Sequence, residues 1–318
     1  MVAPAWLEAP MASLQKAHAA QRMPHALLIH DAPGAGGAWL AGWVAQMMLC
    51  TGSPPRPCGL CPACVQVQQS RHPDLAAVGL IDESLQIRID QIRELGRELA
   101  LTSHQGGYKL AILDPADALN PFAANALLKT LEEPTADTIL ILVAVQPSRL
   151  PATIVSRCQR SRVSRPTREQ SLNWLEANRG AADWGAVLDV IGEAPFAAAR
   201  LDPGRVAELR TETLRALEEA RSGAGDPMAI AERWSRSELP LRLACVENWL
   251  TQCIERGLAP HPHSTELRSG AHTRAADSVI NSRDLFHVLD RVHELKAALN
   301  TPMNRSLALE SLLRSLRT

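Results

Sequence analysis

Three short apolar runs, separated by segments with helical spacing, constrain the fold of this chain most. Ala26-Leu27-Leu28-Ile29-His30 leads into Asp31-Ala32-Pro33-Gly34-Ala35-Gly36-Gly37, after which a helical pattern runs from Trp39 to about Met48. Lys109-Leu110-Ala111-Ile112-Leu113 ends at Asp114-Pro115, and Thr138 to Val145 is rich in β-branched residues and continuously apolar. A run without alternation suits a central strand covered on both faces, and strands separated by helices imply βαβ units and a parallel α/β sheet. Leu75 to Val78 is a further short strand candidate. Ile89, Ile92, Leu95 and Leu99 have helical spacing, with Asp90 offering an N-cap. The segment Pro121 to Glu132 is predicted to be a helix that starts at an early proline and stops at Pro134.

The pattern changes after about Arg165-Pro166. Leu172 and Leu175, then Val187, Leu188 and Ile191, recur at helical spacing in short blocks, and from Pro203-Gly204 the chain reads as longer helices to Leu316. Arg256 to Arg274, with two prolines and Gly270, reads as a loop. Boundaries near 165 and 204 agree with the two or three domains expected of 318 residues. With 46% hydrophobic and 21% charged residues the chain is not of a disordered type. Its net charge is -1 and lysine occurs only at positions 16, 109, 129 and 296, which argues against a strongly basic nucleic-acid coat. The apolar run Ile139 to Val145 falls far short of the roughly 20 residues of a membrane span. Glu8 and Gln15 interrupt any signal-peptide pattern, so a soluble, cytoplasmic protein is expected.

Cysteine usage sharpens that reading. Cys50, Cys58, Cys61 and Cys64 fall within fifteen positions, whereas Cys158, Cys245 and Cys253 are scattered. In a reducing compartment such spacing favours metal over disulfides, and four thiolates complete a closed, structural zinc site with no open position for catalysis. His72 is a reserve ligand, although His72-Pro73-Asp74 also reads as a turn cap.

The Gly-rich stretch sits where a strand–turn–helix phosphate loop would, and it reads either as a remnant of one or as a plain Gly-rich turn. A working loop has Gly-x-x-x-x-Gly-Lys-Ser/Thr, in which Lys reaches the β/γ-phosphates and the hydroxyl binds Mg²⁺. Aligned on Gly34 and Gly36, this chain places Asp31 at the first glycine, Gly37 at the lysine and Ala38 at the hydroxyl. Asp31 adds negative charge where phosphates would lie. Asp114 is followed by Pro115 rather than by the glutamate that polarises water in an active ATPase, and reads as a cap on the next turn.

Together with these motifs, Asn125-Ala126-Leu127-Leu128-Lys129-Thr130-Leu131-Glu132-Glu133-Pro134 followed by Ser156-Arg157-Cys158 resembles the clamp-loader branch of the AAA+ ATPases. The inserted cysteine module is similar to that of its bacterial subunits, and the missing Lys and Glu resemble the branch members that do not hydrolyse ATP. The resemblance extends through Ile87 to Leu101 and more weakly to Asn304 to Leu313. It implies an AAA+ core over residues 1–165 with the zinc module at about 50–64, a helical lid over 166–204, and an all-α collar over 205–318. It also implies that Arg157 acts in trans on ATP held by a neighbouring subunit, with no ATP bound at Gly34, Gly36 and Gly37. The implied partners are the gamma/tau and delta subunits of a hetero-oligomer that loads a sliding clamp onto primed DNA. Polymerase activity would then belong to the assembled holoenzyme.

Arg149, Arg160 and Arg162 are structural or rim charges, and Lys129 and Glu132, three apart on one helix, can pair with each other. Trp39, Trp174, Trp184, Trp234 and Trp249 read as core or interface anchors, and His261-Pro262-His263 as part of a loop. Two other functions compete: a self-sufficient AAA+ ATPase with a divergent loop, and a zinc-finger nucleic-acid binder. Gly37, Ala38 and Pro115 speak against the first. Against the second, Arg56 is the only basic residue from Cys50 to Cys64.

Overall fold

The computed structural model describes residues 2–81, 84–258, 282–299 and 303–317. A short turn of 3-10 helix leads into α1 (Glu8–Ala19), β1 (Ala26–His30) and α2 (Gly37–Leu49). α3 (Pro62–Gln68) carries the last cysteine of the cluster and is followed by β2 (Leu75–Val78), α4 (Ile89–Ala100) and β3 (Lys109–Leu113). α5 (Pro121–Glu132), β4 (Thr138–Ala144), α6 (Ala152–Val155) and β5 (Gln159–Arg162) complete the alternation.

The five strands form one parallel sheet in the order β2-β3-β4-β1-β5. All seven residues of β4 are buried, as its unbroken apolar run requires. Along β1 the pleat sends Leu27 and Ile29 into a core shared with α1 and α2, and Ala26 and Leu28 into one shared with α4, α5 and α6. After β1 the chain crosses to the far side of the sheet and returns strand by strand to β4, beside β1. The C-terminal end of β1 therefore lies at the topological switch point, where a crevice opens in sheets of this kind. The glycine-rich stretch starts there.

Local chemistry fixes the helix ends around the sheet. Asn120 caps α5 by accepting the Ala123 N–H at 2.8 Å, with Pro121 in the first turn. Asp90, expected as an N-cap, instead lies inside the first turn of α4, where its charge complements the helix dipole. Arg88 holds the cap position, its N–H donating to the Gln91 side chain at 2.9 Å. The helix thus starts two residues earlier than an Asp90 cap implies: the bonds of Ile87 to Ala118 and Asn120 end the extended chain at Arg88, and the Gln91 side chain caps the helix there. Lys109 is buried at the start of β3, and its Nζ donates to the Leu101 carbonyl at 2.7 Å and to the Glu98 carbonyl at the end of α4.

α7 (Arg168–Arg179), α8 (Trp184–Ile191) and α9 (Pro195–Ala198) follow the sheet. Packing divides the chain into two units, Met1–Ala181 with Glu193–Arg200 and Ala182–Gly192 with Leu201–Thr318. α7 and α9 belong with the sheet, where Trp174 and Phe196 pack with ring centroids 4.4 Å apart. α8 belongs to the second unit, in which the Asn248 side chain donates to the Asp189 carbonyl.

The second unit is helical among its described residues: α10 (Pro203–Ser222), α11 (Pro227–Arg236), α12 (Leu239–Leu258), α13 (Ser282–Ala298) and α14 (Arg305–Arg314). They enclose Trp234, Leu243, Leu250, Val292 and Leu312. Residues 256–258, expected to begin a loop, continue α12, since Pro260, the first helix breaker, comes two residues later. The rest of that expected loop, with His261 and His263, lies outside the described residues.

Candidate functional site

The glycine-rich stretch folds as a tight loop between β1 and α2, and the same unit closes over it. Gly34 and Gly36 have φ of 68° and 110°, conformations that L side chains rarely adopt. The Asp31 N–H extends the sheet by donating to the Ala144 carbonyl at 2.9 Å. From α9, the Phe196 N–H donates to the Gly34 carbonyl at 3.0 Å, and a Cβ placed on Gly34 would stand 2.8 Å from that of Ala194. The Phe196 ring packs on Gly36 so closely that any side chain there would run into it. Trp6 donates its indole N–H to the Ala35 carbonyl at 2.8 Å, and Trp6, Trp39 and Trp174 surround Phe196.

Asp31 does not point into open space. It is 9% exposed and packs under Gly37, and its Oδ1 is buried without a hydrogen-bond partner. Burial pushes its carboxyl up to about 6, against the backbone N–H groups of Gly37 and Ala32, with Asp114 nearby adding to the rise. Asp114 was expected to cap the next turn, but its side chain makes no cap there. Its own carboxyl is raised by burial and by Asp117, an effect opposed by Arg200. Asp117 is the carboxylate that bonds the backbone, accepting the Gln146 N–H at 2.7 Å.

The cysteine cluster assembles from four short pieces of chain. Cys50 caps the end of α2, Cys58 lies in the connecting loop, Cys61 caps α3 and Cys64 sits in its first turn. The four sulfurs lie within 4.8 Å of one another, an arrangement able to hold a metal ion. Zinc–sulfur bonds of about 2.3 Å put tetrahedral ligands about 3.8 Å apart. The Sγ atoms of Cys50 and Cys61, 3.9 Å apart, meet that spacing. Backbone N–H groups of Cys58, Cys61 and Cys64 donate to the sulfurs of Cys50, Cys58 and Cys61, each at 3.4 Å, and so favour thiolates. At Cys61 burial works against ionisation, yet hydrogen bonds from the backbone and side chains of Cys64 and Thr51 bring the thiol down to about 5. His72 stands outside this set. Its Nδ1 accepts the Asp74 N–H at 3.1 Å, so it closes the turn before β2.

Ser156-Arg157-Cys158 lies between α6 and the edge strand β5. Cys158 is buried in the core beneath α5 and α6, so Arg157 turns outward, its side chain 36% exposed. Its Nη1 donates to the Thr153 carbonyl at 2.9 Å and its Nη2 lies 2.8 Å from Glu132 Oε1. Glu132 therefore pairs with Arg157 and not with Lys129, because α6 brings the guanidinium to the end of α5. Arg149, Arg160 and Arg162 are exposed. Trp184 and Trp234 are buried in the second unit, and Trp249 is half-buried against its core. Among the described residues no helix is long and apolar enough to cross a membrane. Two features escaped sequence reasoning: Phe196 over Gly36, and Glu132 on Arg157. Both join residues far apart in the chain, and neither carries a local pattern.

Residues 6–167 match the family model described as "DNA polymerase III, delta subunit". DNA polymerase III subunit delta' of Pseudomonas aeruginosa is 35% identical over 229 residues, 71% of this chain and 70% of that one. The Escherichia coli K12 protein of the same name is 28% identical over 321 residues, 97% of this chain and 93% of that one. Among solved structures, a DNA polymerase III gamma subunit-related protein from Thermotoga maritima superposes over 98% of both chains with a TM-score of 0.52 at 16% identity, a likeness of fold. The parallel sheet with its cysteine module and following helices is the observed architecture, and the chain belongs to the delta-type subunits of DNA polymerase III, in the delta-prime branch.

Proposed function

We propose that this chain is the non-hydrolysing subunit of the replicative clamp loader, completing a ring of subunits and lending Arg157 to ATP bound by its neighbour. The observation that carries the reading is a pairing of opposites within one unit. The chain's own phosphate loop lacks the Lys and the hydroxyl and is covered by Phe196, while Arg157 stands half-exposed beside the edge strand. An arginine supplied in trans neutralises the charge that develops on transferring phosphoryl oxygens and is worth about 10³–10⁵ in rate. The gamma/tau and delta subunits are the proposed partners, the sliding clamp and primed DNA the indirect ones. Residues 1–165 are read as the AAA+ core, 166–204 as a lid and 205–318 as the oligomerising collar. The four-cysteine cluster is read as a structural zinc site, with Cys50, Cys58, Cys61 and Cys64 as ligands.

The competing reading, a self-sufficient ATPase, needs Mg-ATP at Gly34 to Ala38. Gly37 and Ala38 supply neither ammonium nor metal ligand, and Ala194 and Phe196 crowd the loop's glycines. A calorimetric titration of the isolated chain with Mg-ATP tests this directly. No binding is expected; micromolar affinity favours the self-sufficient enzyme. Co-purification with an ATP-hydrolysing subunit tests the assembly. A chain that forms no such complex is not a clamp-loader component.

A further inference from the structure

We infer that Glu132 is a positioning residue for Arg157, fixing the guanidinium in the orientation from which it serves the neighbouring nucleotide; this rests on the reading of Arg157 given above. Two separate nitrogens of the guanidinium are held, Nη1 by the Thr153 carbonyl at 2.9 Å and Nη2 by Glu132 Oε1 at 2.8 Å. Two anchors on different nitrogens define the plane of the group and its direction. Of its five N–H donors only two are used, so three remain for phosphate oxygens without any contact being broken.

The place of Glu132 argues that it does not serve its own helix. It is the last residue of α5, at the negative end of the dipole, where an acidic side chain is unfavourable. Lys129, the cation one turn earlier on α5, does not pair with it. The pair with Arg157 is itself open to solvent, with side chains 36% and 51% exposed, so it adds little to stability. What the pair does supply is order. A free arginine loses rotamer entropy each time it engages a phosphate, and a pre-set one loses less. Small misplacements of a group in a reacting site cost large factors in rate.

The test uses the assembled hetero-oligomer, with ATP hydrolysis measured for wild type, Glu132→Ala, Glu132→Gln, Arg157→Ala and the Glu132→Ala/Arg157→Ala double variant. Glu132→Ala should lower kcat by about 5- to 20-fold at unchanged KM for ATP, because the guanidinium is still present but no longer oriented. Glu132→Gln keeps an oxygen that accepts the same hydrogen bond and should restore most of the rate. In the Arg157→Ala background, Glu132→Ala should have no further effect, since its only route to the reaction is through Arg157. If Arg157→Ala lowers hydrolysis while Glu132→Ala does not, or if Glu132→Ala costs the same in both backgrounds, the positioning role is wrong and that of Arg157 stands. If Arg157→Ala hydrolyses ATP at the wild-type rate, both assignments fall together.

Discussion

The Phe196 ring occupies the space where a Cβ on Gly36 would stand, and the backbone N–H of Phe196 bonds the carbonyl of Gly34 at 3.0 Å. A loop with the outline of a phosphate cradle is thus built into the interior of its own unit. Gly36→Ala must force a side chain onto that ring at a φ of 110°. The substitution should cost about 2–4 kcal/mol, from backbone strain and steric displacement together. Phe196→Ala should relieve the steric part, so the double variant will be more stable than the sum of single losses. Urea denaturation of the four proteins reads this coupling, and strict additivity would contradict the contact.

Asp31 makes stability depend on pH in an unusual direction. Its folded-state carboxyl lies at about 6, above the ordinary 3.8, so folding takes up a proton. The contribution is complete below about pH 4 and is lost as pH rises through about 6, by on the order of 2–3 kcal/mol. Asp31→Asn should remove this decline, and the difference between the two proteins' urea midpoints across pH 4 to 7 isolates it. Parallel curves would show that Asp31 is solvated.

The elements that read clearly in the sequence are those whose signal is local. β1 and β3 coincide with apolar runs because burial on both sheet faces demands unbroken hydrophobicity, while the half-buried edge strand β2 and the helix from Pro121 to Glu132 coincide with short apolar patterns bounded by turn residues. The four cysteines are legible for the same reason, as their spacing is short-range. The first turn of α4 is not, because the helix starts two residues before an Asp90 cap would allow, at a point set by the bonds of Ile87 to the distant Ala118 and Asn120. Phe196 is invisible for a stronger reason. α9 is only four residues long, and nothing local announces that its ring meets a glycine near the other end of the unit.

Lys109 gives a test of how the sheet is tied to its flank. Its buried ammonium donates to the Leu101 carbonyl just past α4 and to the Glu98 carbonyl in its last turn, which also accepts the Leu101 N–H. Lys109→Met keeps the stem but leaves the Leu101 carbonyl without a donor and the Glu98 carbonyl with only the Leu101 N–H at 3.3 Å, at a cost of about 1–3 kcal/mol. Hydrogen exchange should show the last turn of α4 loosened first. Unchanged protection there would mean that solvent already serves those carbonyls.

The cysteine cluster predicts about one equivalent of tightly held zinc, since binding by four thiolates is folding free energy for the module around them. Metal analysis of protein purified without added zinc measures it. Cys61→Ala should lose the metal and destabilise residues 50–68 before the sheet. A metal-free protein with full thermal stability would remove zinc from the account.

Arg157 is proposed to work on a nucleotide held by a neighbouring subunit. Within its own chain the side chain makes an exposed ion pair, so Arg157→Ala should leave the fold within about 1 kcal/mol of wild type. Single-turnover ATP hydrolysis by the assembled complex carrying Arg157→Ala is the most direct measurement. The expected result is an intact complex in which hydrolysis at one site falls by about 10³-fold or more, and clamp loading with it. Wild-type hydrolysis by that complex would contradict the claim.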